Sequence, residues 1–133
     1  GITILGADTA KTPDMLKGGG GMKGLFVTSP ILEAREFTAG AAFLDKYRAK
    51  FKKDPAYAGH YTYDAMHVLA AAIRRGESSK AADITAMLKK LDGYAPVTGS
   101  MKWDDKGEQR YGVIGVYSGK GGLWESQMRS DSW

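Results

Sequence analysis

The chain contains no cysteine. Disulfides, thiolate metal ligands and cysteine nucleophiles are therefore excluded, and either an oxidising or a reducing compartment remains open. Long apolar runs are missing too. The best candidate, Val68 to Ile73, ends at Arg74-Arg75 and falls far short of the ~18 residues needed to cross a bilayer. The first residues read as a strand, so no signal peptide is expected. Histidine is scarce: His60 and His67 stand seven apart with no third ligand in view, a poor basis for a metal centre. No serine sits on a Gly-x-Ser-x-Gly elbow. Gly6 to Thr12 (GADTAKT) lacks the length and second glycine of a phosphate loop. Catalytic residues, a metal and a cofactor are all unexpected.

What is present is a globular composition. Of the 133 residues, 43% are apolar and 26% charged, which separates the chain from disordered sequences. This length suits one compact domain. The formal net charge of +4 would need to gather on one face to bind nucleic acid. Most basic residues instead sit near carboxylates. The main cluster, Arg48, Lys50, Lys52 and Lys53, closes a helical pattern, where cations complement the helix dipole. No nucleic-acid partner is expected.

Local signals give an α/β order. Ile2 to Leu5 is β-branched and apolar and predicts a buried strand of a parallel sheet. Thr12-Pro13-Asp14 predicts a helix start, with Thr12 as N-cap and Pro13 in the first turn. Met15 and Leu16 supply that helix with apolar contact, and Gly18 to Gly21 stop it. Lys23 to Thr28 predicts a second strand, ended by Ser29-Pro30, so the opening reads as a βαβ unit.

Three helices should come next. The first, about 38–53, has Phe43, Tyr47 and Phe51 on one face and stops at Asp54-Pro55. The second, Tyr63 to Arg75, has Met66, Leu69 and Ile73 on one face among small alanines. The third, Ser79 to Leu91, presents Ile84, Met87, Leu88 and Leu91, with Ser78 or Ser79 as cap and Gly93 beyond. Past Gly93 the pattern turns to strands. Ser100 to Trp103 alternates, Asp104 to Gly107 is a turn, Tyr111 to Tyr117 is β-like, and Gly119 to Gly122 turns into Leu123-Trp124-Glu125. The class is α/β with an antiparallel tail.

Thr98-Gly99-Ser100-Met101-Lys102-Trp103-Asp104-Asp105-Lys106-Gly107-Glu108 resembles a late segment of the branched-chain amino-acid (leucine/isoleucine/valine) binding proteins of the periplasm. Gly59 to Leu69 (GHYTYDAMHVL) is similar to their Tyr-Asp-Ala segment before an alanine-rich helix. Gly6-Ala7-Asp8 and Lys23 to Pro30 match preceding strand ends, so the likeness runs in order along nearly the whole chain. It implies part of a type I periplasmic-binding-protein fold, Rossmann-like and flavodoxin-like, with two lobes and a ligand cleft between them. On that pattern residues 1–28 and 117–133 belong to the second lobe and 33–109 to the first, with crossings at 29–32 and 110–116. About the first two-thirds of a family member, including the groups that grip the ligand carboxylate, would be absent.

The function implied is non-catalytic: capture of a branched-chain or related amino acid in the periplasm and delivery to the membrane permease of an ABC transporter. A receptor or regulator sensing domain of the same fold is the alternative, as is a self-associating fragment that binds nothing. Exposed strand edges invite pairing with another copy. A homo-oligomer, with domain swapping as one route to it, is therefore expected of the piece alone.

Among candidate ligand residues, Asp8 follows the first strand, where open α/β sheets place ligand contacts. By itself it could equally be a turn aspartate capping local backbone. The resemblance implies the acidic residue that receives the ligand's α-ammonium. For the ligand side chain the resemblance implies an aromatic near Tyr57, Tyr61 and Tyr63. The aligned position holds Ala58, so Tyr57 or Tyr61 would have to supply the ring, and core or surface tyrosines remain the other reading. Trp103 and Trp124 read as core anchors, and Asp104-Asp105 as solvated turn carboxylates.

Overall fold

Short β-branched and apolar runs from both ends of the chain meet in one four-stranded sheet. The computed structural model describes residues 1–18, 23–99 and 101–132. The strands β1 (Ile4–Gly6), β2 (Leu25–Ser29), β3 (Gly115–Lys120) and β4 (Leu123–Arg129) lie in the order β1-β2-β3-β4. β1 runs parallel to β2, while β3 and β4 are antiparallel to their neighbours. β3 and β4 are joined by Gly121 and Gly122 alone, with φ of 58° and 76°. Two successive left-handed residues match the twist of a tight hairpin, and glycine adopts them without steric cost.

Between β1 and β2 lies helix α1 (Pro13–Gly18). Its N-cap is the expected one: Thr12 Oγ1 accepts the Met15 N–H at 3.1 Å. The proposed glycine stop lies mostly outside the described residues. The sheet and α1 form the first of two compact units, Gly1–Leu32 with Gly112–Trp133. Its buried side chains include Leu25, Val27, Tyr117 and Trp124. Leu25, Val27 and Ser29 alternate with half-buried Phe26 and Thr28, the period of a strand. Trp124 is an anchor as read from the sequence, and its indole N–H donates to the Thr12 carbonyl at 3.2 Å.

β1 corrects one expectation. It is a parallel strand, but Ile2, Ile4 and Leu5 are exposed, at 85%, 43% and 68%. The sequence carries the apolar pattern of an interior strand, whereas the sheet order puts β1 at an edge.

The second unit, Glu33–Tyr111, is helical: α2 (Gly40–Phe51), α3 (Gly59–Gly76) and α4 (Ala81–Lys90). A 3-10 turn at Ala34–Glu36 precedes α2, with the Glu33 N–H bonded to Glu36 Oε2 at 2.7 Å. Gly40 opens α2 against this turn. A Cβ there would stand 1.6 Å from the Ala34 carbonyl oxygen, so only glycine permits the approach. Phe43 is buried with Ala34 and Val97, and Tyr47 packs beside it. Phe51, expected on the same apolar face, is 49% exposed at the helix end.

α3 starts four residues earlier than the pattern predicts, at Gly59, and buries a different face. His60, Asp64, Val68, Ala71 and Ala72 point inward, while Met66 and Leu69 are exposed. The small alanines let α4 approach closely. Val68, Ala71, Ala72, Leu91, Ala95 and Met101 form one core, with Ile84, Met87, Leu88, Tyr94 and Trp103 packed on it. The face Ile84-Met87-Leu88-Leu91 thus packs as read. α4's N-cap is Lys80 and makes no side-chain cap bond. Ser78 acts nearby instead, accepting the Lys80 N–H and donating to Asp83.

The segment after α4 is a set of turns. Asp104 Oδ1 accepts the N–H groups of Lys106 and Glu108, each at 2.9 Å, and Gly107 takes φ of 85°. The Trp-Asp-x-x-Gly stretch is therefore a built turn, with Trp103 on the helical core. Strand β3 begins only at Gly115, later than the β-like run from Tyr111 suggests.

Candidate ligand loop and aromatic helix start

Asp8 occupies the loop that leaves β1. A 3-10 turn spans Asp8–Ala10, closed by the Lys11 N–H on the Asp8 carbonyl at 2.9 Å. The carboxylate is exposed and accepts the Thr9 N–H at 2.9 Å. It thus stands beyond the C-terminal end of a parallel strand, where backbone groups and side chains of open α/β sheets meet ligands. Chemically it can receive a cationic donor from solvent while its backbone holds the turn.

Lys11 was not among the expected site residues. It comes directly after the turn and is 2% exposed. Its Nζ donates to the Ile31 carbonyl at 2.7 Å and lies 4.0 Å from the centroid of the Tyr117 ring. A buried ammonium needs such partners, since its desolvation is otherwise costly. The Ile31 end is also fixed: Ser29, buried at the end of β2, accepts the Ile31 N–H at 3.0 Å. The available sequence signal was position. Lys11 precedes the N-cap Thr12, a slot that usually takes an apolar side chain packing on the first helical turns.

The two tyrosines belong to the second unit, and Asp8 to the first. Tyr57 lies in the turn before α3 and is 50% exposed. Ala58, at the aligned aromatic position, is the left-handed N-cap of α3, with φ of 59°. Tyr61, in the first turn of α3, is half-buried. Its ring meets Phe37 edge-on at 6.0 Å and His60 at 4.6 Å. His60 also faces Phe37 and Phe43, at 5.8 and 6.3 Å, which makes it part of an aromatic cluster. His67 lies against Tyr63 at 4.4 Å. Among the described residues no three His, Cys, Asp or Glu side chains are grouped to hold a metal.

A groove of about 620 Å³ runs between α2 and α3, lined by Phe43, Tyr47, Phe51, Tyr63 and Met66 among others, with Lys46, Lys50 and His67 in its wall. Neither Tyr57 nor Tyr61 lines it. Two carboxylates near this helical core have defined roles. Asp64, fully buried, accepts the N–H groups of Val97 and Thr98 at 2.9 and 2.7 Å and the Thr98 hydroxyl at 2.8 Å. Asp92 accepts the Lys102 ammonium and the Tyr111 hydroxyl. The Lys102 hydrogen bond, then that of Tyr111, hold the Asp92 carboxyl below the usual carboxylate range, and Asp92 in turn raises Lys102.

Likeness to known proteins decides the family. A periplasmic binding protein family model matches residues 1–122. The chain belongs to that family. The leucine-specific-binding protein of Salmonella typhimurium is 35% identical over 102 residues, covering 74% of this chain. The chain spans only 26% of that relative's length. The leucine binding protein LivK of Thermotoga maritima has a similar structure, with a TM-score of 0.82 and 25% identity over 98% of this chain and 38% of its own. A branched-chain amino-acid transporter substrate-binding protein from Streptococcus pneumoniae, LivJ in complex with isoleucine, shares the fold at a TM-score of 0.75 and 21% identity, covering 97% of this chain and 36% of its own. The α/β class and the type I periplasmic-binding-protein fold expected from the sequence hold.

Proposed function

We propose that this chain is part of the solute-binding component of an ABC transporter, which takes up a branched-chain or related amino acid in the periplasm and passes it to the membrane permease. No step in that role is catalytic: binding favours a closed form, and the permease reads that form. The observation that carries the reading is Asp8, an exposed carboxylate on the turn just past β1, in a family whose relative above is a leucine-specific-binding protein. Asp8 accepts the ligand's α-ammonium in a charge-assisted hydrogen bond worth about 1.5–3 kcal/mol. Tyr57, half-exposed ahead of α3, and Tyr61 beside it are the rings for the ligand side chain.

In this reading residues 1–28 and 117–133 belong to one lobe, 33–109 to the other, and 29–32 with 110–116 are the crossings. The division into Gly1–Leu32 with Gly112–Trp133, and Glu33–Tyr111, supports it. The same reading leaves the 133-residue chain with a weak site of its own and an uncharged apolar edge at β1. We therefore expect it to self-associate, and a monomer in sedimentation at micromolar concentration would remove that part of the proposal.

The test of the ligand role is calorimetry of leucine, isoleucine and valine with the full-length binding protein carrying this segment. Asp8→Asn should weaken binding by roughly 2 kcal/mol, about 30-fold. Unchanged affinity would end the assignment of Asp8.

A further inference from the structure

We propose that Lys11 is a positioning residue that sets where the Asp8 carboxylate stands; the inference rests on Asp8 receiving an ammonium group. Asp8 lies on a short turn between an edge strand and a six-residue helix. The turn is closed by its own backbone bond from the Lys11 N–H, which fixes its shape but not its placement on the sheet.

The Lys11 side chain ties the turn to the sheet interior. It runs inward, where Nζ bonds the Ile31 carbonyl and lies over the Tyr117 ring. Tyr117 stands in the middle of the sheet, paired with Val27 of β2 and Ser126 of β4. Ile31 is tied to Ser29 at the end of β2. One buried ammonium therefore joins the Asp8 turn to the segment that leaves β2 and to the sheet interior. Thr12, the next residue, is held by the Trp124 indole through its carbonyl.

An apolar side chain could fill the same space. It could not bond a carbonyl and a ring face together at one point, and directed bonds of this kind define a position. An ammonium bound at Asp8 pulls on a carboxylate three residues from this anchor, so binding strain reaches Lys11 directly. A ligand with an α-ammonium should be sensed at Lys11, and one without should not.

The test is nuclear magnetic resonance on the full-length binding protein carrying this segment, following the amides of Asp8 and Thr9 and the Nζ resonance of Lys11. The probes are L-leucine and 4-methyl-2-oxopentanoate, which keeps the side chain and carboxylate but lacks the ammonium, each taken well into the millimolar range. Leucine should shift all three resonances along one binding curve, and the oxo acid should leave them in place. Lys11→Met should abolish the leucine shift at Asp8 while Lys11→Arg restores part of it. An Nζ resonance that stays put while the Asp8 amide follows leucine overturns the inference in the wild-type chain, whatever the variants do. A leucine response lost in Asp8→Asn but kept in folded Lys11→Met overturns Lys11 alone. No response to leucine at Asp8 in the wild-type full-length protein overturns the Asp8 site, and the inference with it.

Discussion

Replacing Asp64 tests the account of the helical unit most sharply. Its carboxylate is fully buried in α3 and receives three hydrogen bonds from Val97 and Thr98, at 2.7–2.9 Å. Hydrogen bonds to a charged acceptor contribute about 1.5–3 kcal/mol each, and removing the acceptor leaves the buried Val97 N–H without a partner while Thr98 is only partly buried. The three are not additive, because they share one carboxylate. Asp64→Ala should therefore cost about 2–4 kcal/mol, from neutral donors left without their acceptor. A small domain holds only about 5–15 kcal/mol in total, so this variant should lose a substantial share of its stability. Asp64→Asn keeps one acceptor oxygen and turns an N–H₂ towards a donor. Its cost should be about 1.5–2.5 kcal/mol, the loss of one charged bond and the weakening of the others. Urea denaturation followed by circular dichroism at the helix band measures both, since α2, α3 and α4 all lie in this unit. An Asp64→Asn variant within about 0.5 kcal/mol of wild type, the scatter of ordinary surface changes, would refute the claim that this carboxylate ties α3 to the 95–99 turn.

Asp92 should titrate below the ordinary carboxylate value when followed by carbon-detected resonance, and Lys102→Gln should move it back up, because the Lys102 bond is the main cause of the depression. The sign is that of a depressed carboxyl: the stability linked to Asp92 is present above its unfolded-state pKa and is lost as pH falls through the folded value. Gly40→Ala should destabilise by about 1–3 kcal/mol, the usual range for overpacking, because its Cβ collides with the Ala34 carbonyl; a melting temperature equal to wild type would show that the turn at Ala34–Glu36 yields freely.

The elements whose signals are local were legible. Thr12-Pro13 marked the start of α1 because a cap and a fixed φ act within a few residues, and the glycine pair of the β3–β4 hairpin did so for the same reason. The apolar face of α4 was legible from its period alone. Burial was less so, because it depends on partners distant in sequence. Ile2, Ile4 and Leu5 have the pattern of an interior strand, and in the 133-residue chain the sheet order leaves β1 at an edge. On α3 the eye follows Met66, Leu69 and Ile73, yet the inward face carries Asp64, whose polarity is offset by a loop more than thirty residues away. Asp8 stood out through its position after a strand and its place in a family pattern. Lys11 did not: its place before the N-cap is visible in the sequence, but the Ile31 carbonyl and the Tyr117 ring that cover its ammonium lie far along the chain.

The pairing of β2 with β3 has a consequence for how the chain is made. Ser29 and Gly115 are partners in register, and all of Glu33–Tyr111 is synthesised between them. The sheet has a long closing distance, whereas the helical unit is contiguous and rich in near-neighbour contacts, the kind that form early. On the ribosome, with the N-terminal end emerging first, the helices can assemble before β3 is made to pair with β2. The sheet is finished last, by the final hairpin. Until that hairpin is made, Leu25 and Val27, which the finished sheet buries, lack the strand that pairs with β2, so in a longer protein carrying this segment they are the surface a chaperone would hold.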